Sequence, residues 1–195
     1  MNSKAALYKF SILLLSLSVL FVAGCAKPPT QEIAKAEKAL DEAKQKEAHL
    51  YVPDIYQKAE ESIKSAKNLV VNKQYKEAKK AAEETVQFAR QAIAMIEPGK
   101  AKMKKEAEQL LNDVEKSLGE FKQLAATAIK KKVFAARADI EGLIGKWEID
   151  LINIKEKLQN QQVKQAYDEI DAVKGQVQSK KEMVESKTSS KPEKK

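Results

Sequence analysis

The sequence predicts an all-α protein in which antiparallel helical hairpins form an elongated bundle of about six helices. Three observations lead to this prediction. Ala, Glu, Lys, Gln and Leu dominate the 195 residues, whereas only six glycines and five prolines are present. Apolar residues recur at alternating spacings of three and four from about residue 31 onward. No stretch alternates polar and apolar residues for long enough to predict a strand.

The individual helices follow from this spacing and from local breaks in it. The predicted helices span about residues 31–50, 54–72, 75–96, 101–129, 133–159 and 163–184. Thr30 is predicted to cap the first helix, whose apolar stripe is interrupted at Glu47. Pro98-Gly99 is predicted to end the third helix. The connections at 72–74, 130–132 and 160–162 are short and polar, which predicts antiparallel neighbours.

The stripe residues form the predicted core. The first three helices supply Ile33, Ala36, Leu40, Ala43, Leu50, Tyr56, Ala59, Ile63, Ala66, Val70, Tyr75, Ala78, Ala82, Thr85, Ala89, Ala92 and Ile96. The last three supply Ala107, Leu111, Val114, Leu118, Phe121, Ala125, Ala128, Ile140, Ile144, Trp147, Leu151, Ile154, Leu158, Val163, Ala166, Ile170, Val173 and Val177. Trp147 is therefore interpreted as a core residue.

The first 25 residues have the pattern of an exported, lipid-modified precursor. Two lysines precede an uncharged apolar run at 10–23, and about 14 residues is shorter than the roughly 20 that span a membrane. The run ends in Val22-Ala23-Gly24-Cys25, which resembles the bacterial lipobox. The resemblance implies a diacylglyceryl group on the Cys25 thiol and cleavage between Gly24 and Cys25. An uncleaved signal anchor is the alternative.

These signals predict a linear organisation in five parts. A signal peptide at 1–24 is followed by a lipidated tether at 25–30, helical domains at 31–98 and 99–186, and a disordered basic tail at 187–195. Pro28 and Pro29 favour an extended tether. Ala26 favours the outer membrane in a host with two membranes, because related lipoproteins retained in the inner membrane often carry Asp there.

The charge of the chain restricts its partners. The formal charge is +8, and about +6 remains without the two leader lysines. A moderate positive excess on an exported protein favours anionic lipid headgroups or envelope polymers, and no nucleic-acid partner is expected. Lys130, Lys131 and Lys132 are the candidate contact with an anionic surface; a solvated turn is the alternative.

No catalytic residue, metal or other cofactor is predicted. His49 is the only histidine and is expected at a helix end. Gly142-Leu143-Ile144-Gly145-Lys146 has the wrong spacing for a phosphate-binding loop, so its glycines are interpreted as allowing a close helix contact. Tyr51, Tyr56 and Tyr75 form either a packed seam around Pro53 or an aromatic ligand patch.

Residues from about 29 to 96 resemble a family of helical bacterial envelope lipoproteins, domain of unknown function 4398. The matching residues are Ala36, Ala39, Leu40 and Ala43, then Tyr51-Val52-Pro53-Asp54-Ile55-Tyr56 with Ala59, and Tyr75-Lys76-Glu77-Ala78 with Ala82. The family usually has Ala where Val52 stands. The resemblance implies a lipoprotein with a helical hairpin and no catalytic residue.

The sequence thus predicts an envelope lipoprotein, held at the membrane by lipid on Cys25, that acts as a non-catalytic structural or binding module. Its expected contacts are anionic envelope polymers or lipids. The alternative is a periplasmic adaptor or chaperone that binds a protein in a groove between helix hairpins. An exposed apolar groove would favour the adaptor, and a uniformly charged exterior would favour the polyanion-binding module.

Overall fold

The computed structural model describes residues 27–131 and 137–189, and its regular elements there are seven α-helices. They are α1 (Thr30–Gln45), α2 (Ala48–Tyr51), α3 (Pro53–Val71), α4 (Tyr75–Ala94), α5 (Ile96–Lys130), α6 (Arg137–Gln159) and α7 (Val163–Ser189). These two ranges contain no strand, so the predicted all-α class is confirmed. The predictions on residues 1–26, 132–136 and 190–195 lie outside the described residues.

The chain divides into two compact units. The described part of the first unit comprises residues 27–42 and 55–90, and that of the second comprises 43–54, 91–131 and 137–189. The division differs from the predicted domain boundary between 98 and 99. Residues 43–54 belong to the second unit because the short helix α2 packs on α5.

Two predicted helix limits are wrong near the start of the chain and at its end. The predicted first helix, 31–50, is two helices, because Glu47 adopts a left-handed conformation with φ of 65° between α1 and α2. Thr30, predicted as the cap, is the first residue of α1. At the other end, α7 continues to Ser189 and so includes three residues of the predicted tail.

Pro98-Gly99 was predicted to end a helix, but both residues lie in the first turn of α5. Helix α4 ends at Ala94, and α5 begins at Ile96. Proline is tolerated there because the first backbone N–H groups of a helix have no intrahelical acceptor. The Gly99 N–H donates to the Met95 carbonyl oxygen at 2.9 Å. The break at Met95 therefore precedes the proline.

The turns after α3 and after α6 have the same backbone structure. In the first, Lys73 has φ of 58°, and the Gln74 N–H donates to the Leu69 carbonyl at 2.9 Å. In the second, Gln161 has φ of 63°, and the Gln162 N–H donates to the Lys157 carbonyl at 2.9 Å. This is the Schellman pattern, which satisfies the last carbonyls of a helix. It folds each helix pair back into a hairpin.

Small side chains fill the core of the first unit. The buried residues Ala36, Ile63, Ala66, Ala81 and Ala82 pack together, with Ile33, Leu40, Leu69 and Val86 half-buried around them. The Ser62 hydroxyl on α3 and the buried Thr85 hydroxyl on α4 both donate to the Ala81 carbonyl, at 2.8 and 2.9 Å. Alanine seams of this kind bring helix backbones close together.

Larger side chains fill the core of the second unit than the core of the first. The buried set comprises Ala107, Leu111, Val114, Leu118, Phe121, Ala125, Ala128, Ile140, Trp147, Leu151, Ile154, Leu158, Ala166, Ile170, Val173, Val177 and Val184. The rings of Phe121 on α5 and Trp147 on α6 meet edge to face, with centroids 5.5 Å apart. Ile144, predicted as core, is only half-buried. The three long helices α5, α6 and α7 therefore share one core.

We expect Leu118→Ala and Trp147→Ala each to lower the free energy of unfolding by about 2–5 kcal/mol, because both side chains are buried and leave cavities. Urea denaturation of residues 26–195, followed by circular dichroism, measures the change. Ile152→Ala is the control, because Ile152 is 64% exposed, and it should change the value by less than about 0.5 kcal/mol. Equal effects at the three positions would contradict this core.

Candidate functional site

The residues next to the predicted anchor are fixed to the first unit. Gly24 and Cys25 lie outside the described residues, and the description begins at Lys27. Pro29 is buried, and its carbonyl accepts the N–H of Ile33 at 3.0 Å. Helix α1 begins at the next residue, Thr30. Only a few residues therefore separate Cys25 from the helical structure.

The predicted basic contact lies at the C-terminal end of α5. Lys130 and Lys131 are both exposed there, and Lys132 lies outside the described residues. Residues 122–131 contain three lysines and no acidic residue. Positive charge at a helix C-terminus complements the partial negative charge of its free carbonyls. Their charge is therefore favourable at this helix end, and their exposure also leaves them accessible to an anionic surface.

Ion pairs join the three long helices of the second unit. Two pairs join α5 to α6, namely Lys122 with Glu148 and Glu115 with Lys155. Lys157 on α6 pairs with Glu169 on α7. Lys181 on α7 pairs with Glu120 on α5. The hydrogen bond between Lys181 and Glu120 lowers the pKa of Glu120 and raises that of Lys181. Exposed pairs contribute little stability, but they fix which helix faces meet.

Surface grooves run along the sides of α6 that face α5 and α7. The groove between α5 and α6 has a volume of about 460 Å³, with Leu118 and Leu151 among its lining residues and charged groups around it. The groove between α6 and α7 has a volume of about 580 Å³ and is lined in part by Leu143 and Trp147. The Trp147 indole N–H donates to Gln176 Oε1 at 2.9 Å. Both grooves combine an apolar base with polar sides.

The three tyrosines do not form one patch within either unit. Tyr51 belongs to the second unit, whereas Tyr56, which is buried, and Tyr75, which is half-buried, belong to the first. Burial raises the pKa of Tyr56, and Glu60 and Asp41 raise it further. The pKa of Tyr51 is also raised, first by burial and then by Glu47 and Glu97.

Tyr51 connects α2 to the starts of α5 and α7. The Lys100 ammonium lies 5.8 Å from the centroid of the Tyr51 ring. The backbone of Lys164, in the first turn of α7, acts against the rise in the pKa of the Tyr51 phenol. The Tyr51 carbonyl approaches Gly99 so closely that a Cβ at residue 99 would overlap it, and such a Cβ would lie 2.9 Å from Val52 Cγ1. Tyr51 therefore acts as a structural contact.

We expect Gly99→Ala to destabilise the protein by about 1–3 kcal/mol, because its methyl group cannot fit against the Tyr51 carbonyl without moving α2. Gly119→Ala is the matched control on the same helix. No atom of the described residues lies within 4 Å of a Cβ there, so Gly119→Ala should stabilise by about 0.5–1 kcal/mol through helix propensity. Thermal unfolding compares the two, and a shift of the same sign would contradict the contact.

The other residues considered as possible binding sites lie within regular helices. Gly142 to Lys146 lies inside α6, without the loop that a phosphate site needs, and His49 lies in the short helix α2. Within residues 27–131 and 137–189, no three His, Cys, Asp or Glu side chains are grouped so as to hold a metal ion. No helix in those ranges is both long and apolar enough to span a membrane.

The outer side of α6 carries a feature that the sequence analysis did not find. Ile149 and Ile152 are 60% and 64% exposed. Gly142 and Gly145 were expected to allow a close helix contact, but a Cβ at either position would meet no atom of residues 27–131 and 137–189 within 4 Å. That expectation is wrong for the described part of the chain. The sequence does carry a sign of this exposed surface, because Gly142, Gly145, Ile149 and Ile152 form a second apolar stripe on α6, separate from the core stripe.

Comparisons with known proteins provide no assignment: no family model, curated protein or solved structure matches this chain.

Proposed function

We propose that this chain is a bacterial envelope lipoprotein, anchored through lipid on Cys25, that acts as a non-catalytic structural or binding module. The observation that carries the proposal is the order of signals in the first 25 residues. Two lysines, an apolar run, small residues at 23 and 24, and a cysteine follow one another as lipoprotein processing requires.

The anchor accounts for membrane attachment without a spanning helix. Each buried methylene of an acyl chain contributes about 0.8 kcal/mol, and two chains hold a protein stably where one does not. Helix α1 begins at Thr30, five residues after Cys25. An extended chain of five residues spans at most about 18 Å. The first helix would therefore begin close to the lipid headgroups. Ala26 supports the outer membrane in a host with two membranes.

Anionic lipids or envelope polymers are the proposed contacts of the basic surface. The exposed Lys130 and Lys131 support this proposal, as does the absence of acidic residues from 122 to 131. A tethered protein meets its own membrane and wall at a high effective concentration, so weak contacts suffice. Lys132, the next residue of the sequence, continues the same basic run.

A periplasmic adaptor that binds a protein partner is the second candidate. Its specific support is the exposed apolar surface at Ile149 and Ile152, beside the groove between α5 and α6. Exposed apolar side chains next to polar groups are common at sites of protein association. A purely electrostatic module has no need of them.

We expect Cys25→Ser to abolish fatty-acid labelling and cleavage at this site, because serine lacks the thiol that accepts the lipid. Metabolic labelling with a fatty acid and the apparent mass of the chain measure both steps. Ser16→Ala, within the apolar run, is a control that should leave labelling and processing intact. A labelled, normally processed Cys25→Ser chain would contradict the lipoprotein assignment.

We expect residues 26–195 to sediment with anionic vesicles in dilute buffer and to be released as salt is added, because surface charges are screened beyond about 8 Å at physiological ionic strength. Lys130→Gln with Lys131→Gln should reduce the bound fraction by at least about threefold, through the loss of two charges near the lipid.

Lys102→Gln with Lys105→Gln is the matched control for that experiment. It removes the same charge from exposed positions on the same helix, about 40 Å nearer the start of α5. Equal loss from both double variants would show that net charge, and not the end of α5, controls binding. Equal sedimentation with neutral and anionic vesicles would contradict the proposed electrostatic contact.

A further inference from the structure

Two ion pairs determine how α1 lies against the hairpin of α3 and α4 in the first unit. Glu37 on α1 pairs with Lys67, near the end of α3, at 2.8 Å. Glu32 on α1 pairs with Lys79, near the start of α4, at 3.2 Å. The start of α1 therefore lies at the same end of the unit as the turn between α3 and α4. The residues at this end, which we call the turn end, are 27–30 and 71–76.

An exposed apolar side chain and three lysines share the turn end. Val71 is the last residue of α3 and is 79% exposed. Lys27, Lys73 and Lys76 are exposed as well, and the sequence of the turn end contains no acidic residue. An apolar side chain among lysines is typical of surfaces that bind the interface of an anionic membrane.

Charge is divided unequally between the two halves of the first unit. The half that includes the turn end, residues 27–37 and 64–80, contains eight lysines and three acidic residues. The other half, residues 38–42, 55–63 and 81–90, contains three basic and six acidic residues. An anionic surface therefore attracts the turn end and repels the opposite half. This distribution favours a unit that meets the surface with its turn end over one whose helices lie flat on it.

The position of Cys25 determines which surface the turn end meets. Lys27 follows Cys25 by two residues, so their Cα atoms are at most about 7 Å apart. The Thr30 N–H donates to the Pro28 carbonyl at 2.8 Å, and Pro29 is buried, so this segment is held against the unit. A lipid on Cys25 therefore brings the turn end to the headgroups, which form a layer about 5–8 Å thick on each side of a bilayer.

We propose that the turn end is a membrane-docking surface, in which Val71 enters the interface of the bilayer that holds the lipid on Cys25. Lys27, Lys73 and Lys76 contact the anionic headgroups of the same bilayer, and their aliphatic stems cover apolar surface beside Val71. The docking orients the first unit with its acidic half away from the lipids. This inference rests on the proposed lipid anchor, because the anchor is what brings the turn end to a membrane.

Fluorescence quenching tests the docking in the full, lipidated chain, reconstituted into vesicles of phosphatidylglycerol and phosphatidylcholine. The quencher is a lipid with a spin label near the headgroup end of an acyl chain. Lipid on Cys25 consumes the only native thiol, so a thiol-reactive fluorophore modifies only an introduced cysteine.

Val71→Cys places the fluorophore at the turn end, where the native side chain is exposed. Gln87→Cys is the matched control, because it places the fluorophore at an exposed position of α4 about 20 Å farther from the turn. We expect quenching at residue 71 to be at least about threefold stronger than at residue 87, because only the turn end reaches the lipids.

The lysines are tested with the same fluorophore at residue 71. Lys73→Gln with Lys76→Gln should reduce its quenching at least about twofold, because two charges that attract the headgroups are lost. Glutamine fits at residue 73, since Gln161 has the same left-handed backbone conformation in the turn after α6. Thermal unfolding by circular dichroism verifies that the double variant is folded.

Lys38→Gln with Lys58→Gln removes the same charge from exposed positions in the opposite half and should leave the quenching unchanged. Equal loss from the two double variants would overturn the lysine contacts. A lipidated chain with equal quenching at residues 71 and 87 would overturn the docking and leave the anchor intact. An unsubstituted chain that takes up the fluorophore would show a free Cys25 thiol, which would overturn the anchor and this inference with it.

Discussion

The burial of Trp147 between α5 and α7 is the contact on which the second unit depends. Its ring meets Phe121 edge to face, and its N–H donates to Gln176, so one side chain connects three helices. A buried indole requires a hydrogen-bond partner, and Gln176 satisfies this requirement within the groove. The ion pairs at the helix surfaces then select among arrangements that the apolar core alone would allow.

The two hairpins have the same type of turn, although the side chains packed between their helices differ in volume. The turns at Lys73 and Gln161 are alike, and each is followed by a buried alanine, Ala78 or Ala166, three residues into the next helix. Between the hairpin arms, the first unit packs mainly alanine and the second packs tryptophan, isoleucine and valine. Turn chemistry therefore determines the connection, whereas side-chain volume determines how closely the helices approach.

Spacing alone predicted the helices and most of the core, because burial of one helix face leaves a periodic trace in the sequence. Spacing did not predict the helix boundaries at which the backbone conformation depends on a single residue. Glu47 adopts a left-handed conformation that composition does not indicate, and Pro98 begins a helix as readily as it follows one. The basic residues of the candidate surface were visible in the sequence, but the contact of Tyr51 with Gly99 joins distant segments and needed the fold.

The open side of α6 was missed for a physical reason. A search for one stripe per helix finds the larger side chains of the core, and it passes over a second stripe in which two of the four residues are glycines. A glycine inside a helix costs up to about 1 kcal/mol relative to alanine, and among the described residues no atom would lie within 4 Å of a Cβ at Gly142 or Gly145. Two exposed isoleucines on the same face add unfavourable hydration. These costs fall on one face of α6, away from the core residues Trp147, Leu151 and Ile154 of the same helix.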